Sequence, residues 1–261
     1  MTDNHLLNNR TELLNILTQV ARDAGSVIMA IYATDFEVRG KDDNSPVTEA
    51  DEKAEQVIVT ALRKLTPEVP VIAEEAAAAG QMEEVAQMFW LVDPLDGTRE
   101  FINRNGEFTV NIALIEDGAP VLGVVYAPAI DRLFAGAAGH GAFVVDSDGE
   151  RAIQVREVPA AGLTVVASRS HADAEALKAF LGDRKVAELR QAGSSLKICL
   201  VAAGEADLYP RFGRTMEWDI AAGDAVLRAA GGRLTDVDGQ LMGYGKPVFE
   251  NPHFLVWGAG Q

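Results

Sequence analysis

The sequence has little cysteine and histidine, and this limits its redox and metal chemistry. Its single cysteine, Cys199, stands in an apolar stretch and has no second cysteine with which to form an internal disulfide. We expect it to be a buried structural thiol. With four scattered histidines and no cysteine cluster, a zinc site is not expected. The 39 Asp and Glu residues favour a magnesium-type cation, which prefers oxygen ligands.

Long apolar runs and excess positive charge are also missing. No run approaches the roughly 20 residues that span a bilayer, and the polar residues 1–5 do not resemble a signal peptide. We therefore expect a cytoplasmic protein without a transmembrane segment. The net charge of −16 argues against a nucleic acid polymer as partner. A phosphorylated small molecule would also be repelled, unless bound cations and a few placed Arg or Lys side chains reverse the field locally.

The sequence at residues 88–97 is predicted to place two aspartates in a single turn. Residues 88–92 are short, continuous and apolar, which predicts a buried strand. Pro94 cannot donate to a sheet ladder, so we expect the strand to stop before it, with Asp93 and Asp96 just past its end. Two carboxylates in one turn repel each other unless a cation lies between them, and a divalent cation also accepts a carbonyl such as that of Leu95. The alternative is that Asp-Pro and Asp-Gly are ordinary turn dipeptides.

Three other acidic positions have local structural explanations. Thr48 and Asp51 have the form of a capping box that opens a helix. Glu74 follows a short predicted strand at residues 69–73, where acidic residues are usually solvated turn residues, but it also brings a second acidic cluster to a strand end. Asp219 lies in the first turn of the last long helix, where it would complement the helix dipole. Taken alone, spacing favours the structural explanation for Asp51 and Asp219.

Positive charge is placed at a helix start and after two strands. Ser194 and Lys197 open a predicted helix whose free N–H groups favour an anion, although a capping serine followed by a solvated lysine explains them equally well. His171 and Arg211 each follow a predicted strand. Each of these signals is weak when taken alone.

Taken together, the acidic and basic groups are suited to metal-assisted phosphoryl transfer. Gly97 and Thr98 offer backbone N–H groups to a phosphate, and the Thr98 hydroxyl is expected within reach of Asp51. Carboxylates that hold two or three divalent cations activate a water and stabilise an in-line phosphoryl displacement. The four carboxylates that would bind these cations are Glu74, Asp93, Asp96 and Asp219.

The order of predicted elements gives the fold class. Two amphipathic helices over residues 11–32 and 49–64 precede an antiparallel meander over residues 108–145, and the remainder alternates strand and helix. We predict an N-terminal α+β domain over residues 1–155 and a C-terminal α/β domain over residues 156–261.

The motifs resemble those of a known superfamily. The sequence DPLDGT at residues 93–98, followed by Phe101, and WDIAAG at residues 218–223 resemble the paired signatures of the inositol monophosphatase superfamily of lithium-sensitive, magnesium-dependent phosphatases. Residues 47–51 and the acidic pair at 74–75 match two further elements in order and spacing. The resemblance implies a five-layer αβαβα sandwich and two or three Mg²⁺ ions per site.

The resemblance also assigns roles to residues. It implies that Asp51 with Thr98 activates the attacking water. It implies that the first domain carries the main metal site and that the second completes it. The implied metal ligands are Glu74, Asp93, the carbonyl of Leu95, Asp96 and Asp219.

Within the superfamily, the sequence at residues 100–108, 168–173, 193–197 and 208–213 resembles the bacterial 3′(2′),5′-bisphosphate nucleotidase branch. That branch converts adenosine 3′,5′-bisphosphate (PAP) to AMP, and the resemblance implies the same activity here, in support of sulfur assimilation. Inositol monophosphatases usually have Asn-Phe where this chain has Glu100 and Phe101. By this resemblance the reacting phosphate is bound by Glu74, Leu95, Asp96, Gly97, Thr98 and Asp219. The sugar and the second phosphate are bound by His171, Ser194, Lys197 and Arg211.

Several alternatives stay open. Because a second dianion needs its own cationic pocket and an inositol ring does not, Lys197 and Arg211 distinguish a nucleotidase from an inositol monophosphatase. Fructose-1,6-bisphosphatase activity is a further alternative. A phosphonucleotide sensor without catalysis is a further alternative, against which the Asp51 and Thr98 pair argues. Activity on the sulfate-bearing nucleotide PAPS, a monomeric or homodimeric state, and the peripheral membrane attachment described for relatives are left undecided.

Overall fold

The structure of the protein is a computed structural model that describes residues 5–40, 46–169 and 174–259. Its first part is helical, and a 23-residue helix buries one apolar face as its pattern predicts. The next helix opens with the predicted capping box, because the N–H of Thr48 donates to Asp51 over 2.8 Å and the Thr48 hydroxyl accepts from the N–H of Ala50. The elements are α1 (His5–Asn8), α2 (Arg10–Tyr32), β1 (Arg39–Gly40), β2 (Pro46–Val47) and α3 (Glu49–Leu65).

A seven-stranded sheet follows, and it confirms the predicted antiparallel meander. Its strand order is the chain order, β3 to β9. The first two strands pair in parallel, and each later pair is antiparallel. The elements are β3 (Val71–Ala73), α4 (Glu74–Ala78), β4 (Met88–Asp96), α5 (Thr98–Ile102), β5 (Thr109–Glu116), β6 (Ala119–Ala127), β7 (Arg132–Ala137), β8 (Gly141–Asp146) and β9 (Gly149–Ile153).

Strand β4 does not stop before Pro94, and that prediction was wrong. The strand continues to Asp96. Asp93 pairs with Asn111 and Asp96 pairs with Thr109, so two residues of β4 oppose one of β5 in a bulge. The N–H that proline lacks falls inside this bulge, where the ladder requires no bond. The bulge turns the strand end and keeps both aspartates on it.

A second sheet of five strands is mixed, with the order β11-β10-β12-β14-β13. Strand β10 pairs in parallel with β11 and β12, whereas β14 pairs antiparallel with β12 and β13. Helix α7 begins at Leu196 and not at Ser194 as predicted, because Ser194 has a left-handed φ of 47°. The elements are β10 (Leu163–Ser168), α6 (Ala174–Leu181), β11 (Val186–Ala192), α7 (Leu196–Ala202), β12 (Leu208–Arg211), α8 (Glu217–Ala229), β13 (Arg233–Asp236) and β14 (Phe254–Trp257).

The layers alternate helix and sheet, which confirms the predicted five-layer αβαβα sandwich. Helices α2 and α3 cover the outer face of the seven-stranded sheet, and α7 and α8 lie between the sheets. Phe180 of α6 packs on the outer face of the second sheet beside Trp257. Cys199 is buried between the sheets as predicted. Both halves of the chain contribute to that core, and a domain division at residue 155 remains a prediction.

Helix α8 packs very close to the first sheet because two strand positions have no side chain. A Cβ at Gly123 would lie 2.3 Å from the carbonyl oxygen of Ala222, and one at Gly136 would lie 3.0 Å from Val226. This approach lets the first turn of α8 reach the end of β4. No helix among the described residues is long and apolar enough to cross a membrane.

Candidate active site

Three carboxylates from separate elements converge at the end of β4. Glu74 is the first residue of α4, Asp93 lies before the bulge of β4, and Asp219 lies in the first turn of α8. One oxygen from each lies within 4.8 Å of the others. Asp93 is 1% exposed, so its charge has almost no contact with water. The structure therefore brings together three of the predicted metal ligands.

The electrostatics of this cluster show that it is short of positive charge. Burial, followed by the negative charges of Glu74 and Asp96, raises the pKa of Asp93 well above its usual value. Burial and the same two acids also raise the pKa of Asp219. Buried carboxylates that repel one another are stabilised by a hard cation with oxygen ligands. The residues present therefore fit a divalent metal such as Mg²⁺.

Asp96 lies outside the three-carboxylate group. One of its oxygens accepts the backbone N–H of Ser195 at the start of α7. Burial raises the pKa of Asp96 to about 6, against the opposing effects of the Lys197 charge and the Ser195 hydrogen bond. Its charge still acts on both Asp93 and Asp219. Asp96 is thus placed between the carboxylate group and the helix that carries Lys197.

Asp51 uses its two oxygens for different tasks. One accepts the N–H and the hydroxyl of Thr48 over 2.8 and 2.7 Å, and this is the capping arrangement. The other accepts the hydroxyl of Thr98 over 3.2 Å. The Thr98 hydroxyl also lies 3.5 Å from the carbonyl oxygen of Leu95. Helix capping therefore occupies one oxygen of Asp51 and leaves the other for the predicted contact with Thr98.

A cavity of about 230 Å³ joins the acidic and basic residues. It is bounded by the bulge of β4, the start of α7, the end of β12 and the start of α8. His171 lies outside the described residues. The predicted site residues that line the cavity are Glu74, Asp96, Gly97, Thr98, Ser194, Lys197, Arg211 and Asp219.

Lys197 is buried in a cavity that is lined by both carboxylates and arginines. It is 4% exposed, donates to the carbonyl oxygen of Ser194 over 2.5 Å and lies 5.4 Å from the ring centroid of Tyr209. Burial lowers the pKa of its ammonium to about 8, against the opposing charge of Asp96 and with a smaller contribution from Arg211. The interpretation of Lys197 as a solvated lysine is therefore wrong.

Arg211 adds a second buried cation with an unsatisfied donor. Its side chain is 9% exposed, and one terminal nitrogen donates to the carbonyl oxygen of Arg214 over 3.1 Å. Its Nε is buried and has no hydrogen-bond partner among the described residues. An unsatisfied buried donor is costly, and an anion accepting from the guanidinium would satisfy it. The two cations thus form a site that fits an anion.

The start of α7 is held by Ser195, a residue that the sequence patterns did not indicate. Ser195 is 3% exposed, and its hydroxyl donates to Asn111 Oδ1 over 2.7 Å and lies 2.8 Å from the hydroxyl of Thr109. Because its N–H also binds Asp96, Ser195 connects the metal-ligand strand to the helix that carries Lys197. The register of β5 against β4 creates these contacts, and local sequence patterns do not contain that register.

Residues 9–257 match the inositol monophosphatase family. The chain is 50% identical over 247 residues to the 3′(2′),5′-bisphosphate nucleotidase CysQ of Escherichia coli strain K12, covering 94% of this chain and 99% of that protein. It is 32% identical over 256 residues to the CysQ nucleotidase of Haemophilus influenzae, covering 97% and 95%.

Solved structures agree with this match. The crystal structure of CysQ from Bacteroides thetaiotaomicron, described as a bacterial member of the inositol monophosphatase family, is 38% identical, covers 93% of this chain and 95% of its own, and gives a TM-score of 0.77. An IMPase from Thermotoga maritima is 29% identical, covers 94% and 92%, and gives a TM-score of 0.78.

Proposed function

The chain belongs to the inositol monophosphatase family, and on that premise we propose that it hydrolyses the 3′-phosphate of adenosine 3′,5′-bisphosphate to give AMP and phosphate. The chain spans almost the full length of relatives that are named 3′(2′),5′-bisphosphate nucleotidase. Their names supply the substrate class. The geometry of the cavity supplies an independent reason to prefer a nucleotide bisphosphate within the family.

One observation carries this choice, namely that Lys197 and Arg211 are buried in the same cavity as the acidic group. A monophosphate brings no second anionic group to these two buried cations. A substrate with a second phosphate neutralises them. The guanidinium of Arg211, which lines the cavity, is the second group that such a phosphate would bind.

We propose Mg²⁺ as the cofactor, with two or three ions per site. The group that would hold them consists of Glu74, Asp93, the carbonyl of Leu95, Asp96 and Asp219. When bound, such ions polarise the phosphoryl oxygens and make a coordinated water more acidic. Sensitivity to lithium is part of this proposal.

The chain's own residues orient the attacking water and receive its proton. The Thr98 hydroxyl donates to Asp51, so it has a lone pair that can accept a hydrogen bond from the water. We infer that the proton passes through Thr98 to Asp51 as the oxygen attacks phosphorus in line. The bond between phosphorus and O3′ breaks, and the leaving oxygen takes a proton from solvent.

Backbone and side chains at opposite ends of the cavity hold the two phosphates. The first N–H groups of a helix have no partner within that helix, so those at Gly97 and Thr98 face the reacting phosphate at the start of α5. Lys197, Arg211 and the Ser194 turn hold the 5′-phosphate. A role for His171 with the sugar remains a prediction.

The physiological role follows from the product. We propose that the enzyme removes PAP in the cytoplasm and so supports sulfur assimilation. PAPS carries the same 3′-phosphate and is a further proposed substrate. The alternatives are activity as an inositol monophosphatase or a fructose-1,6-bisphosphatase, and a nucleotide sensor without catalysis. Activity measurements on the three substrates would distinguish them.

The proposal is tested by removing one cation of the second site. Lys197→Ala should lower kcat/KM for PAP roughly 10- to 100-fold, the value of a charge-assisted hydrogen bond. It should change kcat/KM for adenosine 3′-monophosphate, which has no 5′-phosphate, less than about threefold. Lys64→Ala, at an exposed lysine of α3, is the matched control. An equal loss on both substrates would remove Lys197 from the nucleotide site.

A further inference from the structure

Ser195 is a buried serine of the cavity wall to which the proposed reaction gives no role. Its hydroxyl donates its one hydrogen to Asn111 Oδ1 over 2.7 Å. The Thr109 hydroxyl, 2.8 Å away, must therefore donate to the Ser195 oxygen. Thr109 and Asn111 are also fully buried. These three side chains, which we call the Ser195 network, form a chain of hydrogen bonds out of contact with water.

The Ser195 network binds the start of α7 to the reacting end of the cavity. Its two members on β5 stand opposite the aspartates of β4, because Thr109 pairs with Asp96 and Asn111 pairs with Asp93. The backbone N–H of Ser195 also donates to the carboxylate of Asp96 itself. Ser195 is therefore held both by a predicted metal ligand and by the strand that pairs with it.

The same residue fixes the cationic end of the cavity. Lys197 lies two residues further along the chain, and its ammonium donates to the carbonyl oxygen of Ser194. Ser194 has a left-handed φ of 47°, which a residue with a side chain adopts only where its surroundings hold it. A shift of Ser195 would therefore move both the Ser194 turn and Lys197. One buried hydroxyl thus controls the distance between the carboxylates and the ammonium.

Stability alone does not explain the Ser195 network. The Nδ2 of Asn111 is buried and has no hydrogen-bond partner in the part of the chain that the structure describes. An unpaired buried donor offsets much of the free energy that the other hydrogen bonds contribute, and apolar side chains would pack here without that cost. Buried polar networks do, however, specify a single arrangement of the elements that they join. Fixing position is therefore the better explanation.

We propose that Ser195 is a positioning residue whose hydroxyl sets the spacing between the two phosphate sites, and so favours substrates that occupy both. This inference rests on the proposed nucleotidase function. A substrate with a single phosphate reacts at the carboxylate end and does not depend on where Lys197 lies. A substrate with two phosphates loses binding energy when the two ends are not held at the matching distance. The hydroxyl acts through Lys197 and not on the reacting atoms.

The test compares kcat/KM for PAP and for adenosine 3′-monophosphate. Ser195→Ala should lower kcat/KM for PAP roughly 10-fold, mainly through KM, and that for the monophosphate less than about threefold. Thr109→Val keeps the shape of the side chain and removes its hydroxyl, so it should act in the same direction even if Ser195→Ala folds poorly. Thr109→Ser, which keeps the hydroxyl, is the matched control and should retain the wild-type ratio of the two kcat/KM values.

A double variant separates positioning from a general loss of folded protein. Because Ser195 acts through Lys197, adding Ser195→Ala to Lys197→Ala should not lower the ratio of the two kcat/KM values any further. Equal losses on both nucleotides, or a ratio that Ser195→Ala and Thr109→Val leave unchanged, would overturn the inference. Failure of wild-type protein to hydrolyse PAP would instead overturn the proposed function and the inference with it.

Discussion

Substitution of Asp93 by asparagine should have opposite effects on activity and on the stability of the magnesium-free protein. Asparagine keeps an oxygen that accepts the N–H of Leu95, which Asp93 Oδ1 accepts over 3.0 Å. It removes one negative charge from a buried group in which Glu74, Asp96 and Asp219 all raise the pKa of Asp93. The variant therefore loses a charged metal ligand and also loses a source of repulsion.

Asp96 shows the size that such an effect reaches in this group, because its pKa rises from 3.8 to about 6. A difference of that size corresponds to about 3 kcal/mol between the ionised and neutral forms of Asp96. The pKa of Asp93, which is more deeply buried, is raised in the same direction. We therefore expect Asp93→Asn to stabilise the magnesium-free protein at pH 8 and to raise its Tm measurably.

The pH dependence of this gain has a definite sign. Because the folded pKa of Asp93 lies above the unfolded value, the native state binds more protons than the unfolded state, and wild-type stability falls as pH rises above about 4. The gain from asparagine should therefore be larger at pH 8 than at pH 5. Thermal unfolding in EDTA, followed by circular dichroism at the two pH values, measures it.

Magnesium should reverse the order of the two proteins. It should raise the Tm of wild-type protein and hardly change that of Asp93→Asn, while turnover of PAP by the variant falls about 10³-fold. If the variant is no more stable than wild type in EDTA at pH 8, the carboxylates do not carry the charge repulsion assigned to them. If it keeps near-wild-type activity in saturating magnesium, Asp93 is not an essential ligand.

Three further predictions concern the proton path, the cationic site and the packing of α8. Thr98→Val should lower kcat on PAP about 100-fold with little change in KM, whereas Thr98→Ser, which keeps the hydroxyl that binds Asp51, should retain most activity. Because the pKa of Lys197 is about 8 in the free protein, KM for PAP should rise above that pH as the ammonium loses its proton, and Lys197→Ala should remove this rise from the pH profile. Gly123→Ala places a Cβ 2.3 Å from the carbonyl oxygen of Ala222. Chemical denaturation should therefore give a free energy of unfolding that is lower by about 1–3 kcal/mol. Unchanged stability would show that α8 can move away from the sheet without cost.

The sequence predicts most elements because their patterns are local. Apolar spacing identifies α2, and the capping box at Thr48 fixes where α3 begins. The end of β4 was predicted incorrectly, because a bulge accommodates Pro94 without ending the strand. Bulges depend on the partner strand, and one strand's sequence does not contain that information.

Sequence spacing predicts some of the candidate site residues and misses others. Local patterns identify the carboxylates at turns and helix starts, but they explain Asp51 as a helix cap and Asp219 as a complement to the helix dipole. In the structure the two side chains accept the backbone N–H of Thr48 and of Met216. Burial changes the interpretation of Lys197, since a lysine in a helix start is ordinarily solvated. The sequence pattern does not indicate Ser195, because its hydrogen-bond partners Asn111 and Thr109 lie 84 and 86 residues away in the chain.

The most direct test of the proposed function is phosphate release from PAP by purified protein. With magnesium present, kcat/KM for PAP should exceed that for inositol 1-phosphate by at least about 100-fold, since two buried cations favour a second phosphate that inositol 1-phosphate lacks. It should also exceed kcat/KM for fructose 1,6-bisphosphate. EDTA should abolish the release, and lithium should inhibit it. Equal or better turnover of inositol 1-phosphate, or no release from PAP with magnesium, would contradict the assignment.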